Sequence, residues 1–110
     1  MRLYVVDDLR FEDHEKLKSV LDETYGNSGI AGIYWVRIDE DVLTPDQAMH
    51  KDCQPFYFAV ELELTKISAE LLVRSRKNMR CPCMGIATEK QRNRIICFVE
   101  KILSDNGIIN

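Results

Sequence analysis

His50 and Cys53 stand three residues apart, and Cys81 and Cys83 flank Pro82. A spacing of three puts the first pair on one face of a helical turn. Two short pairs of soft donors, HxxC and CxC, match the ligand count of a tetrahedral HisCys3 zinc site, in which each pair supplies two ligands from one local unit. The cofactor expected on this reading is Zn(II), in a structural or regulatory role. CxC is a looser metal knuckle than CxxC, and Pro82 restricts how the chain wraps an ion. Packing competes with ligation, since cysteine is among the most buried residue types and a histidine at a helix C-terminus faces the negative end of the dipole. A thiol redox pair is the third reading of Cys81 and Cys83, with Arg80 beside them favouring the thiolate. An iron–sulfur cluster would need Cys97 as the fourth thiolate. On a helical wheel Cys97 turns away from its helix's apolar stripe, among Lys90, Arg94 and Lys101, as a reactive thiol with no acid–base companion.

The second constellation is electrostatic. The 110 residues carry 15 Lys and Arg against 18 Asp and Glu, a net charge of -3 with a pI near 5.4, which argues against a polycation that coats nucleic acid. The balance is uneven: residues 1–65 hold six basic and fourteen acidic side chains, residues 66–110 nine and four. Arg74, Arg76, Lys77 and Arg80 precede a helix start at Thr88 that also carries Arg92. Backbone N–H groups and the positive end of a helix dipole make such a start a place for a phosphate or carboxylate. The competing explanation is a solvated basic region that complements the acidic first half of the same molecule. No glycine-rich phosphate loop supports the anion site, because Gly85 stands alone and the Walker and dinucleotide patterns are absent. Nucleic acid is not an expected partner, since Trp35 and Tyr57 would share their sheet face with Glu61, Glu63 and Glu70, which repel phosphates.

Periodicity supplies the elements that must position these groups. Leu3 to Val6 predicts a strand, and Phe11, Leu17, Val20, Leu21 and Tyr25 recur at helical spacing over residues 10–25, with His14 on the same stripe as a partly buried, hydrogen-bonded side chain. Residues 30–38 are β-branched and aromatic on both faces, as in a strand. Thr44, Pro45 and Gln47 predict a short capped helix that ends before Gln54-Pro55. Residues 56–64 alternate with Phe56, Phe58, Val60, Leu62 and Leu64 inward. Ile67, Ala69, Leu71 and Val73 repeat the pattern, giving a hairpin with Thr65-Lys66 at its tip, and a helix over 66–76 is the rival. The segment around Pro82 is irregular or an edge strand. Thr88 and Gln91 form a second capping box, ahead of an apolar stripe from Ile95 to Leu103 and an Asn106-Gly107 end.

The order β-α-β-short α-β-β-α predicts one α+β domain over residues 1–110. It is a two-layer sandwich with a mostly antiparallel sheet of about four strands, two main helices on one face and one short capped helix, ferredoxin-like in its layering. The other face carries Ile33, Trp35, Tyr57 and Leu72, more apolar than a solvated face should be, so a homodimer or protein partner is expected there. Hydrophobic residues make up 45% of the chain, too many for a disordered protein. No run approaches the ~20 apolar residues of a membrane span and the opening MRLYVVDD is too short for a signal core, so the expected address is the cytoplasm, with no membrane partner. There the four cysteines are expected as thiols or metal ligands. GxSxG, HExxH and paired-carboxylate patterns are absent, and the expectation is of binding rather than catalysis.

Overall fold

The computed structural model describes residues 2–26, 29–77 and 82–108. Arg80 and Cys81, named above, lie outside the described residues.

Local chemistry sets the helix starts. α1 (Phe11–Tyr25) follows Arg10, whose N–H donates to the Asp13 carboxylate at 3.1 Å. The Arg10 guanidinium closes on the same carboxylate at 3.2 and 3.3 Å. Asp13 is therefore buried but paired, and these bonds hold its pKa below the ordinary carboxylate value. α2 (Pro45–Met49) and α3 (Glu89–Asp105) both start on the expected capping boxes, Thr44 with Gln47 and Thr88 with Gln91. In each the hydroxyl accepts from the glutamine N–H and the glutamine side chain accepts from the threonine N–H. α2 passes through His50 into a 3-10 turn at Lys51–Cys53 and ends at Gln54, extended ahead of Pro55.

Alternation sets the sheet, which has six strands: β1 (Leu3–Val6), β2 (Ile33–Arg37), β3 (Phe56–Leu62), β4 (Ile67–Glu70), β5 (Leu72–Ser75) and β6 (Gly85–Ile86). All pairings are antiparallel. β3 is central, with β2 on one side and the line of β4 then β5 on the other. Its partners run from Leu62↔Ile67 and Val60↔Ala69 to Tyr57↔Arg74 and Phe56↔Ser75, so β4 and β5 together carry two residues more than the stretch they oppose. That bulge bends the strand and, being an even number, leaves the in-out pattern intact. At Leu71 the outer edge changes hands: its N–H donates to the Arg2 carbonyl and its carbonyl accepts from the Ala87 N–H, both at 3.0 Å. β1 covers β4 up to that point and β6 covers β5 beyond it.

Both long helices lie on one face. Leu17 and Leu21 of α1, with Ile95, Val99, Ile102 and Leu103 of α3, are buried against Tyr34, Val36, Phe56, Phe58, Val60, Ile67, Ala69 and Val73. Each such side chain contributes about 1.5–3 kcal/mol through apolar area removed from water. Tyr34 donates its hydroxyl to Asp22 of α1 and Tyr4 donates to Glu100 of α3, tying both helices to the sheet through polar tips. Among the described residues no helix is long and apolar enough to cross a membrane.

Four expectations change. The sheet has six strand segments, because bulging divides the second hairpin strand and Gly85–Ile86 adds a short one. β2 begins only at Ile33, since Gly32 at φ 82° turns the chain, and a Cβ there would lie 2.9 Å from the Leu62 carbonyl oxygen. The register Leu62↔Ile67, closed by Glu63 N–H to the Lys66 carbonyl at 2.8 Å, puts Leu64 and Thr65 at the hairpin tip, where Leu64 is exposed instead of inward. Phe11 lies about 100° round the helix from the buried stripe of Asp13, Leu17 and Leu21, and is 69% exposed.

Candidate functional site

With both long helices on one side, the pleat sends every second strand residue to an outer face that no helix among the described residues covers. The register builds this face row by row. Arg37, Tyr57 and Arg74 form one end, Trp35 sits opposite Ala59 in the middle, and Ile33, Glu61, Ser68 and Val5 form the other end. Leu3 lies beside Glu70, and Leu72 beside Ile86, on the same face. The expected interface residues Ile33, Trp35, Tyr57 and Leu72 therefore share one surface, each partly exposed. Three large apolar residues that the alternation did not single out join them: Leu3 at 48%, Val5 at 46% and Ile86 at 62% exposure. The signal was present in Leu3 and Val5, which sit out of phase with the inward Tyr4 and Val6.

The Arg76 guanidinium lies 5.1 Å from the centre of the Trp35 ring and 5.9 Å from that of Tyr57, within cation–π range of both. Arg74 donates to Glu70 at 2.7 Å. The basic end of the face is thus ordered by its own aromatic and acidic neighbours.

The anion set divides between layers. Arg74 and Arg76 lie on the outer face and Lys77 is exposed beyond the end of β5, whereas Thr88 caps α3 and Arg92 belongs to it, in the helical layer. Thr88 uses its hydroxyl in the cap. Arg94, one turn further on, is gripped by Asp39 and by both oxygens of Asp41, from the 3-10 segment Glu40–Val42 and the residue before it. That contact holds the Asp41 pKa below, and the Arg94 pKa above, their ordinary values. The basic second half thereby meets the acidic first half inside one molecule.

The metal set does not come together among the described residues. His50 is exposed and its Nδ1 lies 2.6 Å from the Asp46 carbonyl oxygen, while Cys53 is buried in the hydrophobic core. Cys83 is half-buried and disulfide-bonded, which departs from the expectation of thiols or metal ligands, and Cys81 lies outside the described residues. Among the described residues no group of three or more His, Cys, Asp or Glu side chains is arranged to hold a metal ion. Cys97 is an exposed thiol on α3, on the side away from the stripe as expected.

One polar pocket was not legible as a motif. It has a volume of about 560 Å³ and lies between α1 and the ends of β2 and β3, walled by His14, Lys18 and Asp22 at four-residue spacing. Lys18 donates to Asp22 at 2.8 Å and Tyr34 donates to the other oxygen. These two bonds hold Asp22 ionised, and burial with the Asp22 contact pushes Tyr34 up to about 12. Tyr34 is consequently a neutral donor near pH 7 and no base. His14 is partly buried as expected, but its Nδ1 makes no hydrogen bond among the described residues, although the Glu15 carboxylate lies 3.3 Å away. Lys18, Asp22 and Tyr34 in this pocket are thus committed to one another.

No family model matches the chain, nor does any curated protein or solved structure.

Proposed function

We propose that the protein is a binding module that works as a metal-free homodimer, two copies meeting through the outer faces of their sheets. The observation that carries this is the uncovered face itself, where an apolar middle is flanked by Arg37, Arg74 and Arg76 at one end and Glu61 at the other. Such a face is complementary to itself. A two-fold axis in the plane of the interface and across the strands lays the arginine end of one copy over the glutamate end of the other. The apolar belt of Leu3, Ile33, Trp35, Leu72 and Ile86 then closes on its own copy at the ~10 Å spacing of packed sheets. Opposite charges at the ends fix the orientation, because the alternative axis along the strands sets arginine against arginine.

Sedimentation equilibrium from about 1 μM to about 1 mM, which spans micromolar to millimolar dissociation constants, tests it. The wild-type chain is expected to associate to a dimer, and Ile86→Lys combined with Leu3→Lys to remain a monomer with an unchanged far-UV spectrum. A wild-type monomer throughout that range sinks the proposal. Elemental analysis of untagged protein checks the metal-free part: one zinc per chain would overturn it in favour of His50, Cys53, Cys81 and Cys83 as ligands.

A further inference from the structure

The helical layer holds a second feature, which meets the outer face at Arg37. α1 and α3 stand side by side on the sheet, and along α3 runs a groove of two cavities that share Tyr25, Phe98 and Lys101, one of about 290 Å³ against α1 and one of about 330 Å³ against the end of β2. Its floor is apolar, made by Val36 and Ile38 from β2 and the residue after it and by Phe58 from β3. Its walls are aromatic. Phe98 stands edge to face with Tyr25 at 5.8 Å and with Phe58 at 5.6 Å, so three rings line one space. This is the usual make-up of a small-molecule site: a concave, mostly apolar and aromatic cavity of a few hundred Å³ with a few polar groups at the mouth.

The mouth of the larger cavity is basic. Arg37, Arg94 and Lys101 line it, with Asp39 as the single carboxylate among the described residues. Arg94 is fully engaged by Asp39 and Asp41 and acts as a fixed wall. Arg37 and Lys101 are different. Their partners are Glu40 at 3.3 Å and Asp105 at 3.4 Å, all four side chains lying well out in solvent. Exposed pairs of this kind contribute little and exchange readily, so both cations remain open to an anion that arrives with its own apolar body.

We infer that this groove binds a small amphipathic carboxylate, its aromatic or acyl body among Tyr25, Phe58 and Phe98 and its head between Arg37 and Lys101. Cys97 is an exposed thiol that lines the same cavity, and it reports occupancy without taking part in it.

The probe is 8-anilinonaphthalene-1-sulfonate, an anionic aromatic, titrated by fluorescence and displaced by decanoate or decylamine. Alkylation of Cys97 by iodoacetamide is followed in parallel by peptide mass spectrometry. Saturable binding is expected, with displacement by decanoate and not by decylamine, and with slower alkylation of Cys97 when decanoate saturates. Arg37→Glu with Lys101→Glu, both on exposed side chains, is expected to weaken probe binding by about tenfold or more, as loss of charge-assisted hydrogen bonds does. Lys51→Glu, a charge reversal on an exposed lysine that lines neither cavity, is expected to leave it unchanged. Probe affinity unaltered in the double variant, equal displacement by decylamine, or Cys97 alkylated at the same rate with and without decanoate would each overturn the assignment.

Discussion

Gln47 and Gln91 are buried, 44 positions apart, and joined: the Gln91 amide donates to Gln47 Oε1 at 2.8 Å while Gln47 donates to the Cys83 carbonyl at 3.0 Å. Each also closes its own capping box, so one polar chain runs from the start of α2 to the start of α3. Breaking it leaves buried groups unsatisfied, and Gln91→Leu is expected to destabilise the fold by about 1–3 kcal/mol. Urea unfolding checks this, with a lower midpoint and an unchanged slope. The two boxes were legible in the sequence because a cap is a local pattern. Their connection was not, since nothing at either position encodes the other. Acid sensitivity belongs to this scale too. The folded pKa values of Asp13, Asp22 and Asp41 all lie below the ordinary value, so each contributes stability that is present above that value and lost as pH falls through the folded pKa. Melting temperature is expected to fall below about pH 4, and Asp13→Asn to flatten that acid limb. A melting temperature flat from pH 6 to pH 3, in both chains, would count against these pairings as contributors.

At the level of elements, the hairpin of β3 with β4 and β5 followed from alternation alone, and so did the faces of β2. Alternation does not say where a strand stops. Leu64 keeps phase with core residues and yet lies outside, because the turn at Glu63–Lys66 extends past the surface that the helices cover, whereas Phe11 is exposed because it lies about 100° round α1 from Leu17 and Leu21. Gly32 marks the same kind of boundary from the other side. Its positive φ and the close Leu62 carbonyl leave no space for a Cβ, and Gly32→Ala is expected to destabilise by about 1–3 kcal/mol, the scale of a strained backbone residue. Thermal unfolding beside Gly26→Ala, which has open space around the Cβ, separates the steric part from the conformational one.

Over the whole molecule, the acidic first half and basic second half account for one another at Arg94 with Asp39 and Asp41, while opposite charges also gather at the two ends of the outer face. A dimer held partly by those ends should weaken with salt, since at 1 M the screening length is about 3 Å. The expected result is a several-fold rise in the dissociation constant between low salt and 1 M, read by the same sedimentation measurement, whereas purely apolar closure would show no rise. The composition anticipated both the uneven charge and the open face. It held no trace of the groove between α1 and α3, because a cavity comes from the spacing of two packed helices and not from any run of residues.

The handover at Leu71 lets two neighbouring amides report separately on the two ends of the chain. The Leu71 N–H is held by the residue before β1, and the Ala87 N–H by the Leu71 carbonyl. Native-state hydrogen exchange should therefore distinguish peeling of the N-terminal strand from release of the segment that leads into α3. If β1 opens alone, Leu71 exchanges early and Ala87 stays protected. If both exchange with one free energy, the first strand and the last helix leave the sheet as a single cooperative unit.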